Sequence, residues 1–348
     1  MPDIASLVTS LGGIVQKQQL VRRGARDLDL TRAVRDGAVF RARHGWYSTL
    51  PPMDPRVQAV RVGGRLTGIS AVEAAGGWVL GRHPLHVSLH DNAARLRSRV
   101  NRHVRFDAAH DDTVLHWEDS GVATRGSVCS VDIRDALYRV VLDEPFEQAI
   151  AALDWALNTG TIDLIDFESL LLSLPAEFLG MRDWVDVACD SLPESLSRTR
   201  LRLRGHRVES QRALGDLQHI DMVVDECVGV ETDGDRFHRD RFEEDRAKDL
   251  DITITRLHCI RPSARAVFDD WPRVLLAIET AVSTHVDGPP RAFGNSGLWL
   301  PPRMKIPGMA RARRNRLRQS PEFPKNPRNP QRPQRRGNTD ARGALGSG

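Results

Sequence analysis

Two alternating, β-branched runs only three residues apart constrain this chain more than any other feature in it. His219-Ile220-Asp221-Met222-Val223-Val224 and Val228-Gly229-Val230-Glu231-Thr232 flank Asp225-Glu226-Cys227. Period-two alternation across so short a polar segment predicts an antiparallel hairpin. With residues 225–227 as the loop, Val224 faces Val228, Met222 faces Val230 and Ile220 faces Thr232, forming an apolar face. The same register sets Asp221 opposite Glu231 and His219 opposite Asp233 on the other face. Cβ atoms of such pairs lie about 4.5–5.5 Å apart, so two carboxylates can share one divalent ion at about 2.1 Å. Without a cation they repel; the other use of this face is plain solvation of its acids.

The flanks extend the pattern. Residues 193–204 read as a helix, with Pro193 suited to a first position, Leu196 and Leu203 on one stripe and Gly205 past its end. Glu194 stands at its start. Residues 239–251 form a highly charged helix carrying Asp245, Arg246, Lys248 and Asp249, and residues 252–260 read as another strand. The order is helix, hairpin, helix, strand.

The residues Glu194, Gln211, Asp221, Glu231-x-Asp233-Gly234-x-x-x-His238 and Asp245-Arg246-x-x-Asp249 resemble the DUF559 endonuclease-like domains of the PD-(D/E)XK superfamily, relatives of the very short patch repair endonuclease. The resemblance covers residues 194–278 and implies a restriction-endonuclease-like mixed sheet flanked by helices. It implies Mg²⁺ or Mn²⁺ held by Asp221 and Glu231, with Glu194 joining the metal site. Asp233 stands where the superfamily usually has a lysine, a departure that removes the obvious cationic group. His238 matches a histidine that acts as a base in the patch repair relatives, and an imidazole suits that task. Arg246 or Lys248 can steady the phosphate. Glu194 and His238 also read as a capping and a surface residue, and Gln211 and Asp249 as structural ones.

The N-terminal 50 residues carry a different pattern. Ile4, Leu7, Val8 and Leu11 fall on one helical stripe closed by Gly12-Gly13; residues 16–23 and 27–36 give two more helices, ended by Gly24 and Gly37. An alternating strand over residues 39–44 turns at Gly45 into Trp46-Tyr47. Three helices and a β-ribbon are the order of a winged helix-turn-helix. Arg26, Arg32 and Arg35 lie on or beside the third helix and Arg41 and Arg43 on the ribbon, placed to meet DNA phosphates. The other reading is a small helical domain with solvated arginines, diluted by Asp27, Asp29 and Asp36. Residues 13–47 resemble the winged helix of AbiEi-type antitoxins, which implies promoter DNA and a cognate toxin protein as partners.

Residues 64–190 read as a mixed α/β connector, with helices near 70–76, 145–157 and 165–172 and a strand over 86–89. His83, His86 and His90 cluster in sequence, but no nearby carboxylate or cysteine completes a ligand set, so they read as surface or packing residues. From residue 289 the chain turns Pro/Arg-rich, and its last 60 residues hold 10 of the 20 prolines. This predicts a disordered basic tail. Residues 301–348 hold 13 of the 50 Lys/Arg and 2 of the 46 Asp/Glu, so the net charge of +4 belongs to the tail and the remainder is acidic. The run 311–318 can hold nucleic acid by counterion release or simply be solvated.

The four cysteines are too dispersed for a zinc site or a C-x-x-C pair, and no apolar run approaches the roughly 18 residues of a membrane helix. A cytoplasmic α/β protein is expected, with segments 1–50, 64–190, 191–285 and 289–348. The leading expectation is a DNA-binding, divalent-metal-dependent endonuclease-like protein. The alternative is a non-enzymatic DNA-binding regulator of a type IV, AbiEi-like toxin–antitoxin system.

Overall fold

Asp3 opens helix α1 (Ile4–Ser10) by accepting the Ala5 amide at 3.0 Å, and Gly12, at φ +95°, closes it. A computed structural model describes residues 3–118, 121–122, 125–214, 218–232 and 252–285. After α1 come strand β1 (Ile14–Gln16), helices α2 (Lys17–Val21) and α3 (Asp27–Arg35), and the ribbon β2 (Phe40–Arg43) and β3 (Trp46–Ser48). β1 departs from the expectation only in taking Gln16 from the start of the second helix; with Ile14 and Val15 it forms a three-residue strand, too short for alternation to reveal. It pairs antiparallel with β3, giving the order β1-β3-β2. Val8, Leu20, Leu30 and Tyr47 are buried together beneath the helices. Each such aliphatic side chain contributes about 1.5–3 kcal/mol.

The middle of the chain runs α4 (Pro55–Val62), β4 (Arg65–Leu66), α5 (Gly68–Ala74), β5 (Leu85–His90), β6 (Thr113–Glu118), α6 (Ile133–Asp143), α7 (Phe146–Asn158), α8 (Leu164–Ser173) and a 3₁₀ segment (Ala176–Asp183). β5 pairs antiparallel with β4 and parallel with β6. Helices α6, α7 and α8 bury Leu137, Ile150, Leu153 and Leu171 against Trp184.

Helix α9 (Leu192–Leu203) leads into β7 (Val208–Ala213), β8 (His219–Val224) and β9 (Val228–Val230); β10 (His258–Ile260), α10 (Ala264–Asp269) and α11 (Trp271–His285) follow. The sheet order is β10-β9-β8-β7, with β7, β8 and β9 antiparallel and β10 parallel to β9. Met222 pairs with Val230 and Val224 with Val228, as alternation predicted, and all four are buried with Leu201 and Ile278.

Two details differ from expectation. Ile220 leaves the Met222 face: it packs with Leu214, Val223 and Ile252 and covers Gly229, where a Cβ would lie 2.3 Å from its Cδ1. Gln211, at φ +49°, lies between the Ser210–Met222 and Arg212–Ile220 pairs, at the position opposite Asp221, with the same register on either side of it. The expected strand over 252–260 is helical at 252–254, and Arg256, at φ +62°, follows that turn, leaving only β10 extended. Ile252 and Ile254 alternate with Thr253 and Thr255 in sequence as strand residues do, but in the helical turn Ile252 is buried and Ile254 exposed.

Helix α9 is bound to α7 through a buried ion pair, Arg198 Nη2 donating to Asp154 Oδ2 at 2.8 Å. The Ser195 hydroxyl donates to the same oxygen at 2.6 Å, and the Asp186 amide to Oδ1 at 2.7 Å. The chain is thus a mixed α/β structure with three small sheets among the described residues. No helix among them is long and apolar enough to cross a membrane. The expected helix over 239–251 and the tail from 289 lie outside the described residues.

Candidate functional site

Helix α9 begins with a reciprocal cap that also fixes the first candidate ligand. The Ser191 hydroxyl donates to Glu194 Oε1 at 2.6 Å while the Glu194 amide donates to Ser191 Oγ at 3.4 Å. Ser191 is thus the N-cap of α9, and its hydroxyl in turn holds the Glu194 carboxylate. Glu194 Oε2 accepts the Asp190 amide at 3.1 Å and the Gln211 side-chain amide at 3.0 Å. Capping, once an alternative to a site role, therefore coexists with proximity to the hairpin. Burial, reinforced by the negative charge of Asp221, pushes the Glu194 carboxyl up to about 7, against the pull of its Ser191 and Asp190 hydrogen bonds.

Gln211 reaches Glu194 from the left-handed position in β7, a conformation costing a non-glycine residue on the order of 1 kcal/mol. Asp221, on β8, accepts the Thr232 amide at 2.7 Å and its hydroxyl at 3.1 Å on Oδ2. Thr232 thus belongs to the acidic face, not to the apolar face where strict alternation put it. Glu231 is 6 % exposed; its amide donates to the Ile260 carbonyl at 3.0 Å and its Oε2 lies 3.2 Å from Arg261 Nη2. Extended by one residue, the Met222–Val230 register carries Asp221 opposite Glu231. Glu194, Gln211, Asp221 and Glu231 therefore share one corner where α9 meets the sheet. Arg261 is a cation that sequence reasoning missed, because only the parallel pairing of β10 with β9 brings it to Glu231. Asp233, His238, Arg246 and Lys248 lie outside the described residues.

A second group lies in the middle segment. His86 on β5, His116 on β6 and Asp143 at the end of α6 bring one ligand atom each to within 4.8 Å of one another, and this buried group can hold a metal ion. His116 Nε2 lies 3.3 Å from His86 Nδ1. Two nitrogens around a tetrahedral zinc stand at about that separation, given bonds of about 2.0–2.1 Å; a hydrogen bond between neutral imidazoles spans it too. Asp143 Oδ2 lies 3.6 Å from His116 Nδ1, and Glu144 Oε1 3.6 Å from His86 Nε2. An ion between His116 Nε2 and His86 Nδ1 would leave these carboxylates on the outer ring nitrogens, where they orient the imidazoles; for Asp143 to be a ligand itself, His116 must bind through Nδ1 instead. At Gly68 a Cβ would come within 3.0 Å of His86 Nδ1, so the glycine keeps this side of the ring open.

His86 is buried, as a packing residue is, and the group adds a possible ligand role to that reading. Its partners come from β6 and α6, far along the chain, and no local spacing signals them. His83 is a packing residue, bonded to the Pro84 carbonyl at 2.9 Å and to Glu73 at 3.1 Å, and His90 pairs with Asp91. Among the described residues, Glu194, Asp221 and Glu231 do not form so close a group, Thr232 holding one carboxylate and Arg261 another.

The N-terminal arginines divide. Arg32 and Arg41 are exposed, and the Arg41 guanidinium lies 5.7 Å from the Tyr47 ring centre. Arg26 precedes α3 and meets Asp29 at 3.4 Å, and Arg35 meets Asp36 at 3.2 Å. Arg43 is different: its guanidinium donates to the carbonyls of Arg61 at 2.9 Å, Val62 at 2.8 Å and Arg95 at 3.0 Å. It fastens the ribbon to the end of α4 instead of standing free in solvent. In comparisons with known proteins, no family model matches this chain and no curated protein matches it.

Proposed function

We propose that this chain is a DNA-binding, divalent-metal-dependent endonuclease-like protein whose centre is Glu194, Asp221 and Glu231. The observation that carries the reading is the buried Glu194 carboxyl, raised by the charge of Asp221, with Glu231 one residue past the Met222–Val230 pair, where the register continues to that aspartate. Three carboxylates gathered in one half-buried corner repel unless a cation neutralises them. An all-oxygen donor set of this kind suits Mg²⁺ or Mn²⁺. Such an ion, when bound, neutralises the scissile phosphate and makes a bound water more acidic.

The chain's own groups have separate tasks. Thr232 fixes the Asp221 carboxylate from two donors, and Gln211 and Ser191 fix that of Glu194. Arg261 balances Glu231 and offers a cation at the corner from which the usual lysine is missing. Two further features support the reading. The order α9, β7, β8, β9, then β10 parallel to β9 suits a restriction-endonuclease-like core. The order α1, β1, α2, α3 and ribbon, with the sheet β1-β3-β2, suits a winged helix that holds duplex DNA.

The second reading, a non-enzymatic DNA-binding antitoxin, is favoured by Asp233 in place of lysine and by the Glu231–Arg261 pair, which already neutralises one acid. Nicking of supercoiled duplex DNA separates the two. The wild type should nick with Mg²⁺ or Mn²⁺ and not with chelator, and Asp221→Ala or Glu231→Ala should lose on the order of 100-fold or more of that activity. Equal nicking by the variants would refute the assigned centre. No nicking with any metal, together with tight salt-sensitive binding of the chain's own promoter, would establish the regulator reading.

A further inference from the structure

A groove of about 550 Å³ opens between the β2–β3 ribbon and the loop that joins β5 to β6, and every charged side chain lining it is basic. Lys17, Arg41 and Arg43 come from the N-terminal segment, and Arg95, Arg97 and Arg102 from the loop. Lys17 is paired with Asp27 at 2.8 Å. Arg41, Arg95, Arg97 and Arg102 have no carboxylate partner among the described residues. Guanidiniums gathered without a counter-charge raise the local potential and attract anions.

The loop is built to hold them there. Arg43 Nη2 donates to the Arg95 carbonyl at 3.0 Å, Arg61 Nη1 donates to the Arg99 carbonyl at 2.7 Å, and the Arg97 amide donates to the Val62 carbonyl at 3.2 Å. Arg97 also bridges antiparallel to Arg105. Two arginines are thus consumed in pinning the loop backbone to the ribbon and α4. Arg95 itself sits at φ +57°, a left-handed conformation unfavourable for a residue with a Cβ. Burial together with the Arg97 charge lowers the pKa of Arg43, and burial together with that of Arg102 does so for Arg61, so like charges crowd the groove. A strained backbone and crowded cations are sustained here by dedicated hydrogen bonds, which marks the loop as shaped for a ligand.

We infer that this groove is a second phosphate-binding surface, in which Arg95, Arg97 and Arg102 of the β5–β6 loop continue the ribbon's Arg41 along the phosphodiester backbone of duplex DNA. Four guanidiniums lining one groove exceed what one small anion needs, which two or three donors satisfy, and suit a polyanion with several phosphates. Arg43 and Arg61 are positioning residues. The inference rests on the proposed DNA-binding reading and adds to it a contact from outside the first 50 residues.

The test is fluorescence anisotropy with a labelled mixed-sequence duplex between about 50 and 200 mM salt. The triple variant Arg95→Gln/Arg97→Gln/Arg102→Gln should bind on the order of tenfold more weakly, and its log–log salt slope should be shallower by about 2 to 3. A control that removes as much charge elsewhere, Arg182→Gln/Arg207→Gln/Arg265→Gln, should keep the wild-type slope. If the triple variant fails to fold by circular dichroism, Arg102→Gln alone should lower the slope by about 1. Duplex binding by the wild type with an unchanged slope in the loop variants would overturn this inference and leave the DNA-binding reading standing. No duplex binding by the wild type at the lowest salt would overturn both.

Discussion

Replacing Glu194 by glutamine tests the acidic corner without relying on catalysis. Burial and the charge of Asp221 push the carboxyl to about 7 from its ordinary 4.5. At about 1.4 kcal/mol per tenfold, ionising it in the folded chain costs about 3 kcal/mol more than in the unfolded chain. A carboxyl raised on folding binds its proton more tightly in the native state. Its contribution to stability is therefore full below about 4.5 and is lost as pH climbs through about 7. Glutamine cannot ionise, but it keeps one carbonyl oxygen where Glu194 has two acceptors, so one of the three hydrogen bonds its carboxylate accepts must be lost or rearranged, at about 1 kcal/mol. In chelator, Glu194→Gln should be about 1 kcal/mol less stable than wild type below pH 5 and about 2 kcal/mol more stable at pH 8. Urea denaturation across that range reads both values. Mg²⁺ at about 100 times its dissociation constant should then return about 2.7 kcal/mol to the wild type at pH 8 and clearly less to the variant. Parallel pH profiles for the two proteins would refute the claim that Glu194 is a buried, charge-strained carboxyl.

Two further outcomes follow from buried polar groups elsewhere. If His86, His116 and Asp143 hold a metal, purified wild-type protein should carry about one transition-metal ion per chain by plasma mass spectrometry, and His86→Ala should carry none; equal metal content in both would exclude His86 as a ligand. Asp154→Ala would leave the fully buried Arg198 guanidinium without its carboxylate, at a cost of about 3–5 kcal/mol in urea denaturation. A loss under about 1 kcal/mol would show that the pair does not tie α9 to α7.

The two candidate centres differ in how far sequence can reveal them, and the cause is topological. Asp221 lies on β8 and Glu231 just past the end of β9, two strands joined by a three-residue turn, so alternation predicts their register as soon as the hairpin is recognised, and the Met222–Val230 and Val224–Val228 pairs agree with it. Helix α7 was equally legible, because its stripe of buried Ile150, Leu153 and Leu157 repeats within one element. What failed is non-local. Thr232 joins Asp221 where the alternation stops being regular, Ile220 turns to cover Gly229, and Arg261 arrives only through a parallel strand pairing. His86 and His116 are the extreme case: they sit on parallel strands whose connection spans residues 91–112, and the carboxylate comes from a helix further on. A turn of two or three residues dictates which side chains oppose each other, whereas a long crossover leaves the register to tertiary packing. Spacing that reads as no ligand set therefore says little about histidines on a parallel sheet, whereas a short hairpin turn speaks directly for the residues that flank it.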